Sequence, residues 1–324
     1  MRNKKTVVIG GGTGLSTMLE GLKLYTDKIT AIVTVADDGG SSGRLRKDFK
    51  MPPPGDVRHC IGALAQVSPV MKELINFRFS DGEMKGHSWG NITLAALNEM
   101  SESFEDAVRK FNKLMGVTGM VYPVANEPLT LSAKLADGTV IVGESIIGSA
   151  RQGEGKEIQE VYITPENPKP VEGALRAVAE ADIIVIGPGS LYTSIIPNLL
   201  VGGIADEIRK SKAVKLYVCN IMTQPGETDG YDAYRHLETV EKYSYKGIAD
   251  AMIVNDAGLP QSLEEAYALE DAYAVHCDGC REGVNVVREN LILVKDGKIR
   301  HNFIKLARLI MYIGNKEHIL LGKE

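Results

Sequence analysis

The chain has 324 residues, 44% hydrophobic and 24% charged, with 34 glycines and a formal net charge of -5. This composition suits a globular protein of one large or two smaller domains, and it lacks the basic excess of a non-specific nucleic-acid binder. No apolar run approaches the roughly 18 residues of a membrane span, and the apolar run after the basic start is far shorter than the about 7–15 residues of a signal-peptide core; the expectation is a cytoplasmic protein with no nucleic-acid partner and no membrane span.

In chain order, Val7, Val8 and Ile9 lead straight into Gly10-Gly11-Gly12-Thr13-Gly14, and a helical pattern carrying Met18, Leu19 and Leu22 follows. A buried strand, a turn without Cβ atoms and a helix N-terminus make a place for an anion, because backbone N–H groups point outward and the helix dipole favours negative charge. Counted as GxGxxG from Gly10, the loop puts Leu15 where the third glycine of a dinucleotide fingerprint belongs. The plain alternative is a tight strand–helix turn. A second strand-like run, residues 29–35, ends in Asp37-Asp38 and the turn Gly39-Gly40-Ser41-Ser42-Gly43. The paired carboxylates suit a hard cation such as Mg²⁺, which commonly takes one or two carboxylates plus ligand phosphates; otherwise they are solvated acids capping the next turn. Arg44, Arg46 and Arg58 place positive charge beside these loops, and guanidinium forks suit phosphate. Asp56 is placed to orient Arg58.

Helices are predicted over residues 57–65, 70–77, 92–100 and 104–114, the last with Ser103 as N-cap. Gly86-His87-Ser88-Trp89-Gly90-Asn91 marks one helix start. His87 is a candidate proton donor or phosphate ligand and Asn91 a candidate base or sugar contact, against the alternative of a turn packed by the only tryptophan. Residues 117–164 then read as strands, with Asp137-Gly138 as a hairpin signal, and approximately residues 117–166 are expected to form an antiparallel β insertion.

Helix–strand alternation resumes with a helix over 171–180 and a buried strand over 182–186, which ends at Gly187-Pro188-Gly189-Ser190. A helix over 198–210, a strand over 214–219 and a loop over 220–230 come next. A strand over 251–254 and helices over 263–268 and 303–313 complete the chain. Gly187, Gly189, Ser190 and Thr193 make a further phosphate cradle, and Asn220, Thr223 and Gln224 offer groups for a sugar or base. The cysteines Cys60, Cys219, Cys277 and Cys280 are too few for a disulfide framework in a chain this long. The CxxC spacing of Cys277 and Cys280 has no second pair to complete a zinc site, so reduced thiols near a turn are expected.

The alternation is that of a parallel sheet. The fold class expected is α/β, doubly wound and Rossmann-like, with a mostly parallel sheet, an antiparallel β insertion and a single domain over residues 1–324. In such sheets ligands bind beyond the carboxyl ends of the strands, and the four polar loops all follow strands, so they share one edge. The candidate ligand-binding residues are Gly10 to Gly14, Ser41, Ser42, Arg44, Arg58, Asn91, Gly187, Gly189, Ser190, Thr193, Asn220, Thr223 and Gln224. Asp37, Asp38 and His87 are the catalytic candidates if the protein is an enzyme, with Asp37 and Asp38 also the metal candidates. No nucleophile elbow or Ser–His–Asp order is present. An NAD-dependent oxidoreductase is an alternative weakened by Leu15.

Six ordered segments, GGGTG, ADDGGSSGRLR, PPGDVR, GHSWGN, GPGSLYTSIIP and NIMTQPGET, lie between residues 10 and 228. Together they resemble the gluconeogenesis factor family, YvcK-type relatives of 2-phospho-L-lactate transferase in the CofD-like superfamily. The resemblance implies a Rossmann-like cytosolic homodimer that binds UDP-sugars or other diphosphonucleotides, acts in carbon metabolism and cell-shape or envelope morphogenesis, and has a regulatory protein partner. The transferase uses a nucleoside-diphosphate-linked donor and Mg²⁺. On its pattern Gly10 to Gly14 and Gly187 to Thr193 embrace the diphosphate, and Asp37 and Asp38 match the paired aspartates near the reacting phosphate and metal. The stretch from Gly39 to Arg58 departs from what surrounds that enzyme's deazaflavin acceptor, which leaves the acceptor, and with it the transfer reaction, open.

Overall fold

A computed structural model describes residues 4–148, 157–279 and 283–315; Cys280, half of the CxxC pair, lies outside them. The first half of the chain forms β1 (Thr6–Gly10), α1 (Gly12–Leu22), β2 (Ile29–Val33), α2 (Gly40–Phe49), α3 (Gly55–Leu64), α4 (Pro69–Asn76), α5 (Trp89–Glu99), α6 (Phe104–Leu114) and β3 (Met120–Pro123). Then come β4 (Thr130–Leu135), β5 (Val140–Val142), α7 (Glu144–Ile147) and β6 (Ile158–Thr164). Next are α8 (Glu172–Ala179), β7 (Ile183–Ile186), a π-helical turn (Leu191–Ile195), α9 (Ile196–Leu199), α10 (Ile204–Lys210) and β8 (Val214–Val218). The chain continues with α11 (Ala233–Lys242), β9 (Ala251–Asn255), α12 (Gln261–Ala268), β10 (Asn285–Glu289), β11 (Ile292–Lys295), β12 (Lys298–His301) and α13 (Phe303–Asn315).

Seven strands form the central sheet in the order β10-β9-β8-β7-β1-β2-β3, and every neighbouring pair is parallel. Strands buried on both faces read as near-continuous apolar runs; β1 and β7 are buried at every position, and Thr6 at the start of β1 is their one polar residue. The chain winds outward from β1 through β2 to β3, then returns to β7 on the other side of β1 and winds outward again. The order therefore reverses between β1 and β7. A doubly wound, mostly parallel architecture is what the helix–strand alternation predicts.

The smaller antiparallel sheet has the order β5-β4-β6. Asp137-Gly138 lies in its β4–β5 turn, with Gly138 at φ 87°. This sheet starts later than its predicted boundary: the 117–125 segment instead places β3 on the edge of the main sheet, paired with β2. There the Asn112 side chain bonds both the N–H and the C=O of Val121, which occupies part of an otherwise open strand edge.

Three further local expectations are corrected. The Gly/Ser run after Asp38 is the first turn of a helix, α2, which buries Ser41, Ser42 and Leu45; packing overrides the turn propensity of glycine and serine. The strand pattern expected over residues 117–164 is broken at Gly143, φ 112°, where α7 begins. The helix expected over 198–210 is interrupted before α10 by Gly203 at φ 90°. Among the described residues, no helix is long and apolar enough to cross a membrane.

Candidate functional site

The reversal between β1 and β7 brings the Gly10–Gly14 loop and the Gly187–Gly189 loop together, backbone against backbone. A Cβ on Gly14 would lie 3.1 Å from the Pro188 carbonyl oxygen, and one on Gly189 3.3 Å from the Gly11 carbonyl oxygen. Side chains larger than hydrogen would push the loops apart. The N-cap of α1 is Gly11, which has no side chain to cap the helix; the Gly12 N–H bonds Asp56, and the Thr13 and Gly14 N–H groups that follow are left to an anion. Leu15, which replaces the third fingerprint glycine, is fully buried and packs under Gly10. The buried Asn198 ties the two sides together: its Nδ2 donates to Gly10 O at 3.1 Å and Ser194 O at 2.8 Å. On the second loop Thr193 Oγ1 donates to Ser190 Oγ (2.7 Å), and Ser190 Oγ donates to Glu227 Oε2 (2.6 Å). Burial pushes the Glu227 carboxyl up to about 7.

Beside these loops lies a cavity of about 280 Å³, lined by Gly14 and Thr17 of α1, by Gly189 and Ser190, and by Asn220 to Gln224 after β8. It collects six of the predicted residues: Gly14, Gly189, Ser190, Asn220, Thr223 and Gln224. Thr223 also holds its own loop in place, since its hydroxyl accepts from Tyr273 N–H at 2.9 Å. The Oε1 of Gln224 is buried and has no hydrogen-bond partner among the described residues, an acceptor whose desolvation a ligand N–H would offset.

The far wall of the cavity was not legible as a site in the sequence. It comes from Tyr267 of α12 and from Ile299, Arg300 and His301 of β12. The signal that would have located the hairpin is Asp296-Gly297, with both residues at positive φ (51° and 69°) between β11 and β12, as a type I′ turn requires. Arg300 adds an exposed cation to the phosphate loops. His301 Nε2 lies 3.2 Å from Cys219 O, and burial pushes its pKa down to about 4. The ring is therefore neutral and carries its proton on Nε2, facing the carbonyl.

One strand further along, beyond β2, the remaining candidates form a different kind of site. Asp37 Oδ1 accepts from Gly39 N–H at 2.8 Å, and Asp38 Oδ1 from Ser145 N–H at 2.9 Å. Asp38 thus caps the short helix of the antiparallel insertion. That contact brings in Glu144, which the sequence did not suggest. Burial, and then the charges of Asp37, Asp56, Asp38 and Glu227, push its carboxyl up to about 8. Asp56 is raised to about 7 by burial and Asp37, against a bond from the Gly12 N–H and the charge of Arg58. Among the described residues, no group of three or more His, Cys, Asp or Glu is arranged to hold a metal by itself.

Arg58 is 3% exposed, and its guanidinium is taken up inside the protein. Nε donates to Asn91 Oδ1 (3.0 Å), Nη1 to Asn76 Oδ1 (2.6 Å), and Nη2 contacts His59 Nε2. Asn91 Nδ2 in turn donates to Ser41 Oγ (3.2 Å), which lies 3.0 Å from His87 Nδ1. Ser41, Arg58, His87 and Asn91 are brought together as predicted residues, but as a chain of mutual bonds outside the cavity. Ser42 is buried against Gly55. Arg44 Nη2 donates to Lys85 O (2.8 Å), and Arg46 anchors the insertion through Leu129 O (2.8 Å) and Thr130 Oγ1 (2.6 Å).

Comparison with known proteins gives the family. The family model described as 2-phospho-L-lactate transferase CofD matches residues 6–292. A protein from Thermoanaerobacterium thermosulfurigenes is 48% identical over 314 residues, covering 96% of this chain and 97% of that one. The gluconeogenesis factor of Halalkalibacterium halodurans is 44% identical over 315 residues (96% of this chain, 97% of that one). That of Bacillus subtilis is 44% identical over 312 residues (95% and 97%). A crystal structure of a Bacillus halodurans protein superposes with a TM-score of 0.91 at 44% identity, covering 96% of this chain and 100% of that one.

Proposed function

The chain belongs to the 2-phospho-L-lactate transferase CofD family, and on that premise we propose that it is a gluconeogenesis factor whose switch-point cavity binds the diphosphate of a nucleotide sugar. The ligand class is a UDP-sugar. The outcome of binding is regulation of carbon metabolism and cell shape in the cytoplasm, through a homodimer that engages a protein partner. The observation that carries the binding reading is the meeting of two glycine loops at the N-terminus of α1, beside a cavity that is also lined by Asn220, Thr223 and Gln224. The loops and Arg300 take the diphosphate, while Asn220, Thr223 and Gln224 take the sugar or base. Calorimetric titration with UDP-glucose and UDP-N-acetylglucosamine tests it. Absence of heat at millimolar ligand would sink the reading.

A second reading, Mg²⁺-dependent transfer from a nucleoside-diphosphate-linked donor, is favoured by the carboxylates facing one another around Asp37. Asp56 and Glu144 are raised to about 7 and 8 partly by neighbouring negative charge, which a divalent cation would offset. The donors are all hard oxygens, and they fit Mg²⁺ in the mode that uses one or two carboxylates and completes its shell with phosphates and water. Asp37 and Asp38 would hold the ion, which would neutralise charge on the transferring phosphate. Asp38→Asn should then abolish turnover, and a wild-type protein that yields no product with any nucleoside-diphosphate donor counts against this reading.

A further inference from the structure

Three arginines beyond β2 lack a carboxylate partner. Arg44, Arg58 and Arg78 form no ion pair among the described residues. Arg44 and Arg78 instead rest on the carbonyl oxygens of two consecutive residues, Lys85 and Gly86. Each uses one arm of its fork there, and the other donors are left over. The buried Arg58 bonds only to neutral groups, Asn91, Asn76 and His59. Holding like charges together on carbonyls, one of them buried, costs free energy that a bound anion would offset.

His87 belongs to the same cluster. Asn91 Nδ2 donates to Ser41 Oγ, because the Oδ1 of Asn91 already accepts from Arg58. The Ser41 proton is then directed at His87 Nδ1, and the ring carries its own proton on Nε2, which has no partner among the described residues. Burial lowers the proton affinity of this ring first, followed by Arg44 and Arg78, while Asp48 pulls the other way. Two arginines thus act on the ring against one aspartate, while Asp56 and Asp37 act on Arg58. Beside His87, Phe77 is 50% exposed and packs edge-on against Phe79 at 5.2 Å, an apolar surface next to the charge.

We propose that Arg44, Arg78 and His87, backed by Arg58, form a second anion subsite that takes the phosphate of a phosphate-monoester small molecule. Two planar forks and an imidazole N–H match the three oxygens of such a group better than the two of a carboxylate. The subsite sits at the start of α2, at the carboxyl end of β2. This is one strand along from the switch-point cavity, so the inference stands whether or not that cavity binds a nucleotide.

The test is NMR of the histidine rings during titration of the whole protein with inorganic phosphate, with His87 assigned through His87→Gln. A dianion at this place raises the His87 pKa by about one unit, and the shift saturates with phosphate well before it does with acetate at equal ionic strength. Arg44→Ala and Arg78→Ala, both at exposed positions, each weaken the response about tenfold, the effect of roughly 1.5 kcal/mol for a lost charge-assisted bond. The proposal is overturned if the His87 ring does not respond, if phosphate moves only the Gly12 and Thr13 amides, or if neither arginine variant changes the affinity.

Discussion

The two sides of β1 are built from different materials. Toward β7, the site is made of backbone: glycine loops in contact, a helix N-terminus whose N-cap is a glycine, and one buried amide, Asn198, joining them. Toward β2, it is made of side chains whose partners come from distant segments, such as Arg58 with Asn91 and Asp38 with Ser145. A backbone-built site is sensitive to any added volume and indifferent to side-chain identity. A side-chain-built site is sensitive to the loss of single groups, because each loss leaves another buried group unsatisfied.

Substitutions on either side sharpen or break that contrast. The largest expected effect is Arg58→Ala, which leaves the buried Asn91 Oδ1 without its donor and removes the bonds to Asn76 and His59; it should lower stability by about 3 kcal/mol, read by denaturant unfolding. Arg58→Lys should recover only part, since an ammonium cannot reproduce the fork; full recovery would show that charge alone matters. Next is Gly11→Val. A Cβ there would lie 2.7 Å from both Asp56 Oδ2 and Thr34 Cγ2. Overpacking of about 1–3 kcal/mol should appear as a loss of UDP-sugar affinity in calorimetry, and an unchanged affinity would break the backbone reading.

Glu227 crosses the divide, a side chain that supports the backbone-built loop through Ser190. Its carboxyl is raised to about 7 by burial, so the folded state binds this proton more tightly than the unfolded chain does. The stabilisation is complete below the unfolded value of about 4.3 and is lost as pH rises through about 7. Glu227→Gln keeps an acceptor for Ser190 and should flatten the decline in stability between about pH 5 and pH 8, by on the order of 2 kcal/mol. Parallel pH profiles for the two proteins would show that Glu227 is not the titrating group. The smallest effect is expected for Asp38→Ala, at about 0.5–1 kcal/mol for a lost helix cap, with protease sensitivity of the 130–164 segment as the readout.

The sequence was most readable where chemistry is local. Gly10 to Gly14 and the Gly187 loop announce themselves because tight turns and close backbone approach demand residues without a Cβ. Ser103 caps α6 through Asp106 N–H as its position predicts. α2 was hidden, since its glycines and serines favour turns and its helical state depends on burying Leu45. Glu144 gave no sign because its neighbours, Asp37 and Asp56, stand about 90–110 residues away in the chain.

From the order of strands, helices and glycine turns alone, the chain specifies a doubly wound sheet with its polar loops on one edge, because periodicity and turn chemistry act between near neighbours. Which loops meet was decided by tertiary structure. The reversal between β1 and β7 pairs the first glycine loop with Pro188 and Gly189, brings the β12 hairpin with Arg300 over the cavity, and diverts Arg58 into a buried network. Such contacts join residues far apart in sequence, and only the packed sheet determines which of them touch.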